Sequence, residues 1–212
     1  MIRSCSDWRG RQVGRKKGID TLISALAILH TQFSDFKVEI AGSGPLEEEL
    51  KQQVNQLALT DKVVFLGPLP HDQVVKFVTG LDLFVLPCKK DKQGDMDGIP
   101  VVLMEAMMVG TAVISSKISG IPELVINEQT GMLIEPDNSE QLAAAMLELI
   151  KDEASRTTLI RNAEKKFSKS LHRISTPGAC RHYLLKQSVV FRCKNRDGFS
   201  DDDICLFLPY GQ

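Results

Sequence analysis

A chain of 212 residues, 43% hydrophobic and 25% charged, can bury one sizeable core and has the composition of an ordinary globular protein. It holds no apolar run of membrane-spanning length and no signal-peptide core near its start, so a cytoplasmic location is expected. The net charge of −1 divides unevenly, with −9 over residues 18–167 and +8 over the two ends. So acidic a middle argues against a nucleic-acid-binding face there.

In chain order, residues 1–15 carry basic clusters and no periodicity, and they read as an irregular tail. The segment Ser4-Cys5-Ser6-Asp7-Trp8-Arg9 in particular would make a poor buried strand. From Ile19 the pattern turns regular: Ile19, Leu22, Ile23, Leu26 and Leu29 share one helical face, and the helix should end near Phe33. A strand follows over 36–41, then glycine-rich residues 42–45 and a helix opened by Glu47, Glu48 and Glu49, where the dipole favours acids. Short apolar strands are predicted at 63–66 and 83–86, with a helix over 71–78 between them. A polar loop from Lys89 to Asp97 leads into a helix that opens with Pro100 at its first position and stops at Gly110. Strands at 112–115 and 131–134 flank a loop and short helix at 120–125. Asp137 is expected to cap a helix lined by Leu142, Met146, Leu149 and Ile150, with Glu140 as its capping-box partner. A last helix runs over about 153–166, and residues 168–212 read as a second irregular tail.

Strand and helix alternate, and the strands are continuous apolar runs. That is the mark of a parallel sheet covered by helices on both faces, a Rossmann-like α/β fold. Ligands of such sheets bind beyond the carboxyl ends of the strands. The loops at 42–45, 67–69, 89–100 and 115–122 all leave strand ends on that one rim.

The richest of them is Asp97-Gly98-Ile99-Pro100-Val101-Val102-Leu103-Met104-Glu105. Two acids eight positions apart bracket a helix start, whose free N–H groups and dipole make an anion socket. An acid, a phosphate-sized socket and a second acid suit a sugar joined to a nucleotide through a pyrophosphate. The plainer alternative is a helix-start acid and a solvated helical one. The five cysteines form no C-x-x-C pair and have no histidine at metal-ligand spacing, so neither a metal site nor a disulfide framework is expected.

These loops, taken in order, resemble the C-terminal, nucleotide-sugar-binding half of retaining GT-B glycosyltransferases, in the group 1 or family 4 set with the E-x7-E signature. The matching pieces are Lys17-Gly18-Ile19-Asp20, Ala41-Gly42-Ser43-Gly44-Pro45-Leu46, Val64-Phe65-Leu66-Gly67, Gly98-Ile99-Pro100 through Glu105-Ala106-Met107, Ser119-Gly120-Ile121-Pro122-Glu123-Leu124-Val125 and Thr130-Gly131. They span about residues 16–167, the expected domain.

The resemblance implies roles. Glu105 matches the second acid of the signature, which holds the nucleotide ribose. Asp97 matches the first, a sugar contact, and is one methylene shorter than the family's Glu. The N–H groups of Gly98, Ile99 and Val101 would face sugar and pyrophosphate, with Pro100, which has no N–H, at the first helical position. Lys17 would neutralise the diphosphate leaving group, and Arg11 matches its companion, although both also read as a solvated basic run. Leu66, Gly67 and Leu69 would flank the base. Charge stabilisation by these cations would need no metal and no cofactor, the nucleotide-diphosphate sugar being the donor substrate.

A complete member of the family also carries an N-terminal half that binds the acceptor. The expected function is therefore hexosyl transfer to a hydroxyl, with retained configuration, in polysaccharide or glycan biosynthesis. This chain would be the donor-binding half, weakly active or inactive alone. A glycan or lipid-linked acceptor would be engaged only with the missing domain, at the inner face of the membrane. The alternatives are an inactive fragment or non-catalytic nucleotide-sugar-binding module, and a sugar-nucleotide epimerase on the same scaffold. The lysine-rich stretches at 15–17 and 165–166 are consistent with reading slips, so both tails are expected to be out of frame and without an evolved fold.

Overall fold

The computed structural model describes residues 2–5, 15–91, 93–96 and 98–173. Its strands are β1 (Ile2–Cys5), β2 (Val38–Ala41), β3 (Val63–Gly67), β4 (Leu83–Leu86), β5 (Ala112–Ser116) and β6 (Met132–Ile134). They form one parallel six-stranded sheet in the order β3-β2-β1-β4-β5-β6. The helices are α1 (Ile19–Gln32), α2 (Glu47–Gln56), α3 (His71–Val78), α4 (Val101–Met108), α5 (Ile121–Leu124), α6 (Ser139–Lys151) and α7 (Glu153–Arg173), and a 3₁₀ turn at Arg15–Lys17 precedes α1. The order reverses between β1 and β4, the topological switch point where doubly wound sheets bind ligands.

Period-two alternation sorts the strands' side chains between two helical layers. Leu83, Val85, Ala112 and Ile114 join a core with Ile19, Leu22, Ile23, Leu26 and Leu29 of α1, Leu50 and Val54 of α2, and Leu142, Met146 and Leu149 of α6. On the opposite face Phe84, Leu86 and Val113 are fully buried beside the layer of α3 and α4, two helices in contact with each other. Each buried Leu, Ile, Val, Met or Phe side chain among them contributes about 1.5–3 kcal/mol by leaving water. The expected Rossmann-like architecture with helices on both faces is the one observed.

Several expectations are corrected. Residues 2–5 of the expected irregular tail are a strand at the centre of the sheet: Ile2 pairs with Val38 on one side and Leu83 on the other, and it is buried. A ladder to β2 along all four residues and one to β4 at Ile2 and Arg3 take up its backbone groups, and that outweighs a sequence without a clear apolar run. At the other end α7 continues to Arg173, so residues 168–173 are helical rather than irregular. The chain divides into compact units at 1–164 and 165–212, and within the second the described residues are 165–173. β4 and β5 are buried throughout, but β3 alternates, with Val64 and Leu66 exposed, because it is an edge strand. Asp137 does not cap α6. Asn138 does, accepting from the Gln141 N–H, while the Asp137 carboxylate is drawn to Thr21 and Lys89. No helix among the described residues is long and apolar enough to cross a membrane.

Candidate functional site

The turn that ends in Lys17-Gly18 and the loop after β4 meet at the carboxyl end of that strand. The 3₁₀ turn ends at Lys17, which is buried, and Gly18 opens α1 in the left-handed region at φ 63°. A Cβ at Gly18 would lie 1.9 Å from the carbonyl oxygen of Pro87, the residue that follows β4. Only glycine lets the two segments meet there. The Lys89 N–H then donates to the Lys16 carbonyl at 2.8 Å. The residues before α1 and the loop after β4 are thereby joined backbone to backbone.

That loop is a built turn. The Asp91 carboxylate accepts from the N–H groups of Gln93 and Asp95, both at 2.9 Å, and the Asp91 N–H donates to the Asp95 carbonyl at 2.9 Å. The lysine Nζ of residue 16 bonds Asp95 and lies 3.7 Å from the Asp91 carboxylate. The bond from Lys16, followed by one from the Met96 N–H, holds the Asp95 pKa below the usual carboxylate range. The loop reaches α4 through Gly98, Ile99 and Pro100. Pro100 is the N-cap, with extended ψ 125°, so the helix starts one residue later than expected, at Val101. A proline nitrogen needs no partner in either place. Gly98 and Ile99 are exposed, and Val101 is half-buried.

Glu105, in the second turn of α4, is 3% exposed. A carboxylate so deep in a domain is uncommon among acids. The α4 N-terminus gives this rim the positive end of a dipole. At the far side Gly67, with φ 70°, ends β3, and its carbonyl accepts from the Gly42 N–H at 2.7 Å. Leu66 is exposed and Leu69 half-buried beside it. The structure thus sets Lys16, Lys17 and Gly18 against the loop after β4, and buries Glu105 in the helix that this loop enters. Leu66 and Gly67 end β3, the edge strand, and Leu69 follows it. Asp97 and Arg11 lie outside the described residues.

One group of residues was not foreseen. Lys89 donates to Asp20 at 2.7 Å and to Asp137 at 2.9 Å, with Thr21 Oγ1 at 3.4 Å, and Thr21 itself donates to Asp137 at 2.6 Å. Burial works against the Lys89 charge, but the bonds to Asp20 and Asp137 outweigh it and hold its pKa above the usual value. The bonds from Thr21 and Lys89 hold the Asp137 pKa low. No sequence signal joins positions 69 and 48 residues apart. Beside this tie opens a cleft of about 480 Å³, bordered by Lys89, Met96, Lys117, Ile118, Glu135 and Asp137. Neither Lys17 nor Glu105 lines it, nor do residues 98–101.

A doubly covered parallel sheet with its working loops gathered on one carboxyl rim defines a Rossmann-like ligand-binding domain. The profile described as "Glycosyl transferases group 1" matches residues 11–166, and the chain belongs to that family. The amylovoran biosynthesis glycosyltransferase AmsK of Erwinia amylovora is 39% identical over 151 residues, which are 71% of this chain and 37% of that protein. The chain thus spans little more than a third of the length of that relative. Among solved structures, Anabaena Alr3699/HepE in complex with UDP-glucose superposes with a TM-score of 0.68 at 25% identity, over 79% of this chain and 44% of that one. The C-terminal domain of the group 1 family protein LpcC of Francisella tularensis superposes with a TM-score of 0.69 at 23% identity, over 80% of this chain and 85% of that one, a likeness of fold.

Proposed function

We propose that this chain is the donor-binding half of a retaining glycosyltransferase that uses a nucleotide-diphosphate sugar. The observation that carries the reading is the joining of Lys17-Gly18 to the loop after β4, on the rim where α4 buries Glu105. In this reading Glu105 accepts hydrogen bonds from the ribose hydroxyls. The N–H groups from Gly98 to Val101 face the sugar and pyrophosphate, and Asp97 contacts the sugar. Leu66, Gly67 and Leu69 flank the base. In the reaction the acceptor oxygen bonds the anomeric carbon, the bond from that carbon to the diphosphate breaks, and the hydroxyl proton passes to the departing diphosphate. Lys17, with Arg11, stabilises the charge gathering on the departing diphosphate, the work that preorganised cations do best. No metal or cofactor is required for that step.

The acceptor would be a glycan or lipid-linked hydroxyl, brought by an acceptor-binding part, at the cytoplasmic face of a membrane. The similarity to a protein of amylovoran biosynthesis supports a polysaccharide product. The deciding experiment is calorimetric titration of the chain with UDP-glucose and GDP-mannose, in the presence of EDTA, alongside an assay for sugar transfer. Binding of one nucleotide sugar without metal, and no transfer by the chain alone, is expected. Failure to bind either, or release of an epimerised sugar nucleotide without acceptor, would overturn the reading.

A further inference from the structure

We propose that Lys16 and Lys89 are positioning residues that lock the loop between β4 and α4 onto the start of α1 before any donor arrives. The inference rests on the donor reading above and concerns residues outside the signature. Two lysines tie the loop at two points, one at its start and one in its middle. Lys89, at its start, is held by Asp20 of α1 and by Asp137, which precedes α6. Lys16, from the turn before α1, reaches the Asp91 and Asp95 carboxylates in its middle. The backbone bond from Lys89 to Lys16 and the close approach of Gly18 to Pro87 lie between the two ties.

The chemistry explains why cations are used. The loop carries acids close to a socket meant for an anion, and Lys16 neutralises two of them. Lys89 is 13% exposed at its side chain, against 46% for Asp20 and 66% for Asp137, so its charge is the most shielded member of its tie. A shielded cation with two carboxylate partners holds geometry better than an exposed pair does. A loop already in its binding shape spares the ligand the cost of ordering it. Lys17 stands next to Lys16 in sequence and directly before Gly18, so fixing the loop against this turn also fixes the backbone that carries Lys17.

The test uses the full chain with Lys16→Met, Lys89→Met, Lys89→Arg and Asp137→Asn. Amide hydrogen exchange over 91–96 is measured without ligand, and UDP and GDP are titrated as probes. Exchange over 91–96 should rise in both Met variants while β4 and β5 stay protected. Affinity for whichever nucleotide the parent chain binds should fall about tenfold in Lys89→Met, with Lys89→Arg recovering most of the loss. If Lys89→Met fails to fold, Asp137→Asn removes one anchor at constant size and should show the same loosening at smaller amplitude. Unchanged exchange in the Met variants, or a loosened loop with undiminished affinity, would overturn the proposal. A parent chain that binds neither nucleotide overturns the donor reading instead, and the exchange result then decides the lock by itself.

Discussion

A Cβ placed on Gly18 lies 1.9 Å from the carbonyl oxygen of Pro87, so the residue after Lys17 and the residue after β4 are in contact only because one of them is glycine. The neighbour is backbone, tied into the loop that follows a fully buried strand, and cannot turn aside.

Gly18→Ala is therefore expected to be among the most damaging small substitutions in the domain. It combines a left-handed φ of 63° with a backbone clash. The conformational part costs about 1–2 kcal/mol, and the clash adds to it. Urea unfolding should show a loss well above 2 kcal/mol. A midpoint within error of the parent would show that the two segments separate easily.

Gly120 makes a milder contrast. A Cβ there would meet the Ile99 side chain, at 2.8 Å from Cγ1, and Gly120 has an ordinary φ of −82°. Ile99 is 38% exposed and can swing away. Gly120→Ala should cost less than about 1 kcal/mol of stability, yet shift the residues that lead into α4. Its effect should largely vanish in the double variant with Ile99→Ala, read as coupling in a double-mutant cycle of nucleotide affinity.

Glu105→Gln keeps size and burial and removes a negative charge. Under the donor reading it should weaken nucleotide binding about tenfold or more, the worth of a hydrogen bond to a charged group. Thermal unfolding of the ligand-free chain reports separately on its structural share. Equal nucleotide affinity in parent and variant would assign Glu105 a purely structural role.

The tie between Asp137 and Lys89 sets a pH window. Hydrogen bonds from Thr21 and Lys89 depress the Asp137 pKa, so its stabilisation is present above the unfolded value and fades as pH falls through the folded one. Burial opposes the Lys89 charge, but its bonds to Asp20 and Asp137 raise its pKa on balance. Its share is complete below the unfolded value and is lost as pH rises through the folded one. Both contributions hold between roughly pH 5 and 9. The gap in melting temperature between the parent chain and Asp137→Asn should be constant across that range and close as pH drops below about 4. A gap independent of acid would remove Asp137 from the tie. Because Asp137 is largely exposed, the gap itself should be small.

Periodicity and punctuation determined much of this protein. The run from Ile19 to Leu29 fixes α1 and its buried face, because five aliphatic residues on one side of a helix have only one way to leave water. Leu83–Leu86 and Ala112–Ser116 read as interior strands, because side chains covered on both faces leave no polar alternation. The rim loops followed from that alternation, among them the loop after β4 that meets the turn at Lys16–Gly18.

Tertiary structure alone decided the rest. Ile2–Cys5 is a strand because β2 and β4 stand on either side with unmet backbone partners, a condition no four-residue pattern displays. Asp137 gives up the cap of α6 to Asn138 because a lysine 48 residues away draws its carboxylate. Lys16 and Lys89 read as loop charges until the fold sets acids from three other segments around them. Local chemistry is written at spacings of two to four residues, whereas ion pairs between loops depend on where the whole sheet brings them.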